Sequence, residues 1–224
     1  MNKPYIICHM KTSVDGRIDC NMTMHLPGQN EYYDSLDSLN APNRLSGRIT
    51  GQLELSDGTF VAKDNQPIGK QAFQKNATAD GYEIVVDTHG TLLWNNEQNA
   101  TRPHLIITSE SAPKEYFDYL NTNHISWIAT GAKKINLKRA MEILADEFDV
   151  TRLAVVGGGH INGSMLAAGL IDEISILIGA GVDGRGNQAA VFDGIDKDEH
   201  PINLKLKNVT QYDSDTVWLK YTVK

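Results

Sequence analysis

Short apolar runs alternating with helix-patterned segments predict an α/β fold for this chain. Three observations carry that reading. Residues 5–10 are almost continuously apolar, the mark of a strand buried on both faces. Between such runs, apolar side chains recur at three- and four-residue spacing, as on one stripe of a helix. At 153–168 an apolar strand, three consecutive glycines and a short helix follow one another without a break.

The elements follow in order. After the first strand comes a loop with Asp15 and Gly16, then a helix over 29–39 with Tyr32, Tyr33, Leu36 and Leu39 on one stripe. Residues 44–50, 83–86 and 105–108 read as strands. The stretch 56–78 is polar, rich in Gly, Asn and Gln, and yields no element. Pro113 suits the start of a helix reaching about Leu120, since its missing N–H has no partner in a first turn. Residues 125–129 form the next strand, and Asn136 caps a helix carrying Leu137, Met141, Leu144 and Phe148. Strands at 153–156 and 173–178 flank the glycine segment. At the C-terminus Val217, Leu219, Tyr221 and Val223 alternate with Trp218, Lys220 and Thr222, a strand expected to pair with 204–209. Trp94, Trp127 and Trp218 are expected in the core or an interface.

Bulk properties narrow the function. With 224 residues, 41% hydrophobic and 22% charged, the chain fits one large domain with a well-filled core, or at most two small ones. A net charge of −7 argues against a nonspecific grip on nucleic acid or an anionic membrane. Cys8 and Cys20 form neither a disulfide framework nor a zinc spacing, and no two histidines stand at metal-ligand spacing, so no metal is expected. The N-terminus lacks a signal-peptide pattern and no apolar run is long enough to span a bilayer. The expectation is a soluble protein of the cytoplasm.

Three segments can carry chemistry. Gly157, Gly158 and Gly159, with Ile161 and Asn162 after them, would let backbone N–H groups approach a pyrophosphate. A tight strand-to-helix turn explains the same glycines. The triplet is not GxGxxG, and no acidic ribose partner follows about twenty residues on, which disfavours a conventional dinucleotide fold. Gly47, Arg48, Ile49, Thr50 and Gly51 place a guanidinium and a hydroxyl where they could hold phosphate; a surface arginine in a loop is the alternative. The third segment is S-V-D-G-R-I at 13–18, most simply a turn.

Together these segments resemble the reductase domain of bacterial riboflavin biosynthesis and, more distantly, dihydrofolate reductase. S-V-D-G-R-I is similar to its first motif, V-V-D-T-H-G at 85–90 to its second. V-V-G-G-G-H-I-N-G-S-M-L-A-A-G-L-I-D-E-I at 155–174 is the most specific match. The resemblance covers nearly the whole chain. It implies a dihydrofolate reductase-like domain over 1–224, three-layer α/β/α with a central mixed, mostly parallel sheet. It implies NADPH as cofactor, met by Gly47, Arg48, Thr50, Gly51, Thr108, Ser109, Gly157, Gly158, Gly159, Ile161 and Asn162. L-P-G-Q-N-E-Y-Y at 26–33 resembles the dihydrofolate-reductase helix whose carboxylate faces the pterin, which sets Glu31 beside Asp15 as substrate-side candidates; a solvated first-turn glutamate is the alternative for Glu31.

Two positions depart from the family pattern: Val156 stands where an acidic residue is common, and His9 where a lysine is common. The expected substrate is a pyrimidine- or pterin-like small molecule, best the ribosylaminopyrimidine 5′-phosphate of riboflavin biosynthesis. Alternatives are a same-fold reductase of another small carbonyl or imine compound, and a non-catalytic nucleotide-binding protein. Related reductases often pair, so a homodimer is expected.

Overall fold

The structure, a computed structural model, describes residues 2–224. The chain divides into two compact units. The middle unit is Pro42–Thr151 with the first residues up to Pro4; the split unit joins Tyr5–Ala41 to Arg152–Lys224. In chain order, the split unit begins with β1 (Tyr5–Thr12), α1 (Cys20–Thr23) and α2 (Gln29–Ser38). The middle unit then supplies β2 (Asn43–Gly47), α3 (Arg48–Thr50), a π-helical turn (Gly51–Leu55), β3 (Gly58–Thr59), β4 (Ala72–Gln74), β5 (Glu83–Val86) and β6 (Leu92–Leu93). It ends with β7 (His104–Thr108), α4 (Lys114–Thr122), β8 (Ser126–Ala129) and α5 (Leu137–Glu147). The split unit resumes with β9 (Arg152–Gly157), α6 (Gly159–Ala167), β10 (Glu173–Ile178), β11 (Leu204–Gln211) and β12 (Val217–Val223).

In the split unit the strand order is β11-β12-β10-β1-β9. β1 lies between two parallel partners, with Ile7 opposite Glu173 of β10 and opposite Ala154 of β9. Covered on both sides, it buries every residue from Ile6 to Thr12, which is why it reads as a continuous apolar run. β12 and β11 add antiparallel, Leu206 facing Tyr221 and Val209 facing Leu219, the pairing expected from their alternation. Ile7, Leu36, Leu39, Leu177 and Trp218 make the core here, each large side chain contributing roughly 2 kcal/mol by leaving water.

In the middle unit the order is β2-β5-β7-β8-β4, parallel as far as β8, with β4 antiparallel outside it. Parallel pairs outnumber antiparallel ones in the middle unit's β2-β5-β7-β8-β4 run and equal them in the split unit, the mixed pairing that the α/β reading expects. Asn136 caps α5 by accepting from the Arg139 N–H at 3.1 Å, a cap worth ~1 kcal/mol. Trp94 and Trp127 join Val85, Ile106, Tyr116 and Phe117 in the core.

Two expectations change. The strand expected over 44–50 stops at Gly47 and the chain turns helical at Arg48. Ile49 and Thr50 suit a strand by propensity, but Gly51 packs so closely on β5 that a Cβ there would stand 2.7 Å from Val85 Cγ1. Packing overrides propensity at this point. Residues 56–78 also hold structure: β3 pairs with β6, β4 pairs with β8, and the Phe60 ring packs on Tyr116 and Tyr119 at 5.0 and 4.9 Å.

Candidate active site

The glycine triplet joins β9 to α6. Gly158 has φ +90°, which strains any residue with a side chain, so the turn itself demands glycine. Gly159 serves a different purpose. A Cβ there would lie 2.4 Å from the Ala190 carbonyl oxygen, and one on Gly163 would lie 2.0 Å from that of Asp193. Both glycines therefore admit the chain's own loop. Asp193 donates its N–H to Gly159 O at 2.9 Å, and Asn162 Nδ2 donates to Val191 O at 2.7 Å. Asn162 is fully buried, and its Oδ1 has no hydrogen-bond partner among the described residues. A buried acceptor left so costs ~1–3 kcal/mol, which a polar ligand at this helix start would relieve. Ile161 is buried beside it.

Asp15 is tied to a different segment. Its Oδ1 accepts from Ser13 Oγ at 2.6 Å and from the Asp183 N–H at 2.9 Å, and its Oδ2 from the Gly184 N–H at 3.0 Å. The Ser13 hydroxyl and the two backbone donors hold this carboxyl well below the usual range, because they bind its charged form. Such a group is ionised at neutral pH and is a poor proton donor.

Glu31, on α2, accepts from Ser214 Oγ at 2.5 Å, and that hydroxyl is the main reason its carboxyl is lowered; Lys11 adds to it. Sequence reasoning missed Lys11. It is nearly buried on β1, with Nζ donating to Leu26 O at 2.9 Å and to Gln29 Oε1 at 3.0 Å. Desolvation pushes its pKa down, against the pull of Glu31. The available signal was one lysine in a strand otherwise suited to burial on both faces. His9, two residues earlier, is wholly buried, with Nδ1 2.9 Å from Ser175 Oγ and its ring stacked on Tyr32. Val156 is half-buried at the end of β9.

The remaining candidates lie in the middle unit. Arg48 is exposed, its Nη1 donating to Gln52 Oε1 at 2.8 Å, and Thr50 is half-buried. Gly47 has φ −82°, open to any residue. Ser46 Oγ, at the end of β2, is buried with no hydrogen-bond partner among the described residues. Thr108 and Ser109 are fully buried, and Ser109 Oγ donates to Thr88 O at 2.8 Å while lying 2.7 Å from Ser111 Oγ. A cavity of about 390 Å³ opens beyond them, lined by Phe60, Val61, Asn65, His89, Thr91 and Ser111 among others. Its volume suits a small ligand. Ser111 rather than Thr108 or Ser109 faces it, and the 56–78 stretch supplies one wall.

The fit to a phosphate-rich ligand is mixed. Asn162 Oδ1 and Ser46 Oγ are buried polar atoms awaiting partners, whereas Gly51, Gly159 and Gly163 are explained by internal packing.

Comparisons with known proteins add the following. A family model described as the RibD C-terminal domain matches residues 4–218. The 2,5-diamino-6-ribosylamino-4(3H)-pyrimidinone 5′-phosphate reductase of Methanothermobacter thermautotrophicus is 32% identical over 128 residues, spanning 56% of this chain and 58% of that protein. The protein of the same name from Archaeoglobus fulgidus is 26% identical over 200 residues, 86% of this chain and 87% of its own length. Among solved structures, a pyrimidine reductase-like protein of Corynebacterium diphtheriae matches with a TM-score of 0.73 at 17% identity, over 100% of this chain and 93% of that one.

Proposed function

Since the chain belongs to the RibD C-terminal domain family, we propose that it is an NADPH-dependent reductase of riboflavin biosynthesis acting on a ribosylaminopyrimidine 5′-phosphate. The observation that carries this reading is the likeness along 86% of the chain to a protein named for that reduction. The reading takes the whole chain as one reductase domain. NADPH, when bound, would supply the hydride needed to reduce the carbon–nitrogen double bond of the opened substrate, with a proton taken up at nitrogen to give the secondary amine.

The chain's own residues bind, orient and exclude water. Arg48 and Thr50 meet phosphate of the cofactor, and Ser111, His89 and Thr91 line the cavity in front of Thr108 and Ser109. In the split unit, Gly157, Gly158, Ile161 and the unpartnered Asn162 oxygen face the cofactor. Glu31 stays ionised and hydrogen-bonds an amino-pyrimidine edge. Of the charged groups at this end of β1, Lys11 is the one whose proton burial makes easier to give.

A second reading, a reductase of the same fold on another small imine or carbonyl compound, draws on His9: its ring is locked in a buried network rather than presented to a ligand. The proposal includes a homodimer using β11, where Leu206 and Val209 are 54% and 53% exposed. It also includes a cytoplasmic setting, consistent with two free cysteines. Among the described residues no helix is long and apolar enough to cross a membrane.

Titration of the purified protein with NADPH and NADH, followed by tryptophan fluorescence, tests the reading. NADPH should bind the more tightly and Arg48→Ala should weaken it about tenfold, the loss of one charge-assisted phosphate contact. Turnover is then followed by loss of reduced-nicotinamide absorbance with the ribosylaminopyrimidine phosphate. A folded protein that binds neither nucleotide sinks the proposal.

A further inference from the structure

The loop between β10 and β11 has an unusual support. Its first part, G-A-G-V-D-G-R-G at 179–186, is half glycine and has little intrinsic preference for one conformation. Yet it is pinned along its length by the S-V-D-G-R-I turn. Val14 donates its N–H to Gly181 O at 2.8 Å, and Ile18 donates to Ala189 O at 3.1 Å. Val191 donates to Gly16 O at 3.2 Å, and Arg17 Nη1 to Gln188 O at 2.8 Å. The Asp15 carboxylate gathers the Asp183 and Gly184 N–H groups. Arg185 closes the outer side by pairing with Asp19 and Asp183 at 2.7 and 2.5 Å.

The far end of the same loop is seated on α6. Ala190 donates its N–H to Asp193 Oδ2 at 2.9 Å, which shapes the bend, and Asp193 and Val191 bond Gly159 and Asn162. Gly159 and Gly163 leave no room for a side chain beneath it. One carboxylate at the end of β1 thus bears on the placement of the first turn of α6, through a segment that has no sheet or helix of its own.

We propose that Asp15 is a positioning residue: it latches the 181–193 loop, and the latched loop fixes Gly159 and Asn162 at the start of α6, where the cofactor is bound. This rests on the reading of the protein as a nicotinamide-dependent reductase and gives the S-V-D-G turn a part distinct from proton transfer. The carboxylate's lowered pKa agrees with that part.

The test uses the full chain with Asp15→Ala and, as the conservative variant, Asp15→Asn, which keeps one acceptor oxygen. The first readout is amide hydrogen exchange, which needs no activity. Peptides covering 181–193 and 159–163 should exchange at least tenfold faster in Asp15→Ala, with Asp15→Asn between it and the parent and the rest of the chain unchanged. Unchanged exchange in those peptides overturns the latch, whether or not the protein proves to be a reductase. The second readout is kinetic: KM for NADPH should rise about tenfold while kcat changes less than threefold, the pattern of lost ground-state binding. A fall in kcat of a hundredfold or more with KM unmoved would make Asp15 a catalytic group and overturn the proposal. Should Asp15→Ala fail to fold, Asp15→Asn decides by the same two readouts.

Discussion

Asp87 and Asp15 each follow a parallel strand, and each carboxylate gathers the donors of a loop, but they do so on different scales. Asp87, after β5, is fully buried and accepts from the Thr91 N–H, the Thr91 hydroxyl and the Leu92 N–H at 2.5, 3.1 and 2.9 Å. Its partners are four and five residues away. Asp15, after β1, is exposed, and two of its donors lie 168 and 169 residues on. Asp87 thus closes a local turn, which Gly90 makes possible by its φ of +66° and by letting the Tyr116 ring within 2.4 Å of where a Cβ would be. Asp15 orders a distant loop at the surface. The same chemistry gives local stability in one place and long-range placement in the other.

The sharpest way to break this comparison is to remove each carboxylate. Asp87→Ala strands the Thr91 and Leu92 amides in a buried site, and should cost about 3 kcal/mol, since each unsatisfied buried donor costs ~1–3 kcal/mol. Urea denaturation measures it. Asp15→Ala exposes its former donors to water and should move the denaturation midpoint far less. Equal losses would mean that the Asp15 loop is integral to the core, and the distinction would fall.

A smaller effect is expected at the loop's seat. Gly163→Ala places a methyl group 2.0 Å from the Asp193 carbonyl oxygen, so the loop backbone must move. Overpacking of this kind costs ~1–3 kcal/mol, and the shift should also weaken NADPH binding. Gly186→Ala, in the exposed part of the same loop with nothing within 4 Å, is the control. It should be neutral or stabilising by a few tenths of a kcal/mol, because alanine narrows the unfolded ensemble. A neutral Gly163→Ala would show that the loop is not seated on α6.

How much of this was legible depends on how far apart the cooperating residues lie. β1 could be read because burial on both faces leaves a continuous apolar run, and the β11–β12 pair because alternation survives on a partly exposed edge. The family resemblance located the glycine triplet and the S-V-D-G turn, yet not what they touch. Gly159 and Gly163 answer to Ala190 and Asp193, contacts that no local pattern encodes. Gly51 likewise answers to Val85, which ended the expected strand early. Thr108 ends β7 and Ser109 follows it, but their burial behind Ser111 depends on the path of the next turn. Lys11 directly follows the apolar run at 5–10, where a lysine is ordinarily assigned to a solvated strand end, whereas β1 runs on to Thr12 and buries it.

The smallest effect concerns pH, and its sign separates the two parts open to Asp15. A carboxylate whose folded pKa lies below its unfolded value stabilises the folded form above the unfolded pKa. That contribution is lost only as pH falls through the folded value. Ser13, Asp183 and Gly184 depress Asp15 in this way from 3.8, so the latch stays charged and closed from pH 8 down to about 5. Exchange of 181–193, corrected for the intrinsic pH dependence of amides, should therefore stay flat across that range. It should rise only in stronger acid, as the carboxylate takes up a proton and loses its hold on two amides. Glu31, lowered by Ser214, should also stay ionised over the same interval. A proton-transfer step titrating between pH 5 and 8 must then come from a group other than these two carboxylates. If Lys11→Met lowers kcat without altering exchange of the loop, while Asp15→Ala alters exchange without lowering kcat, the split unit's two ends are functionally separate: Lys11 serves the proton and Asp15 serves the frame.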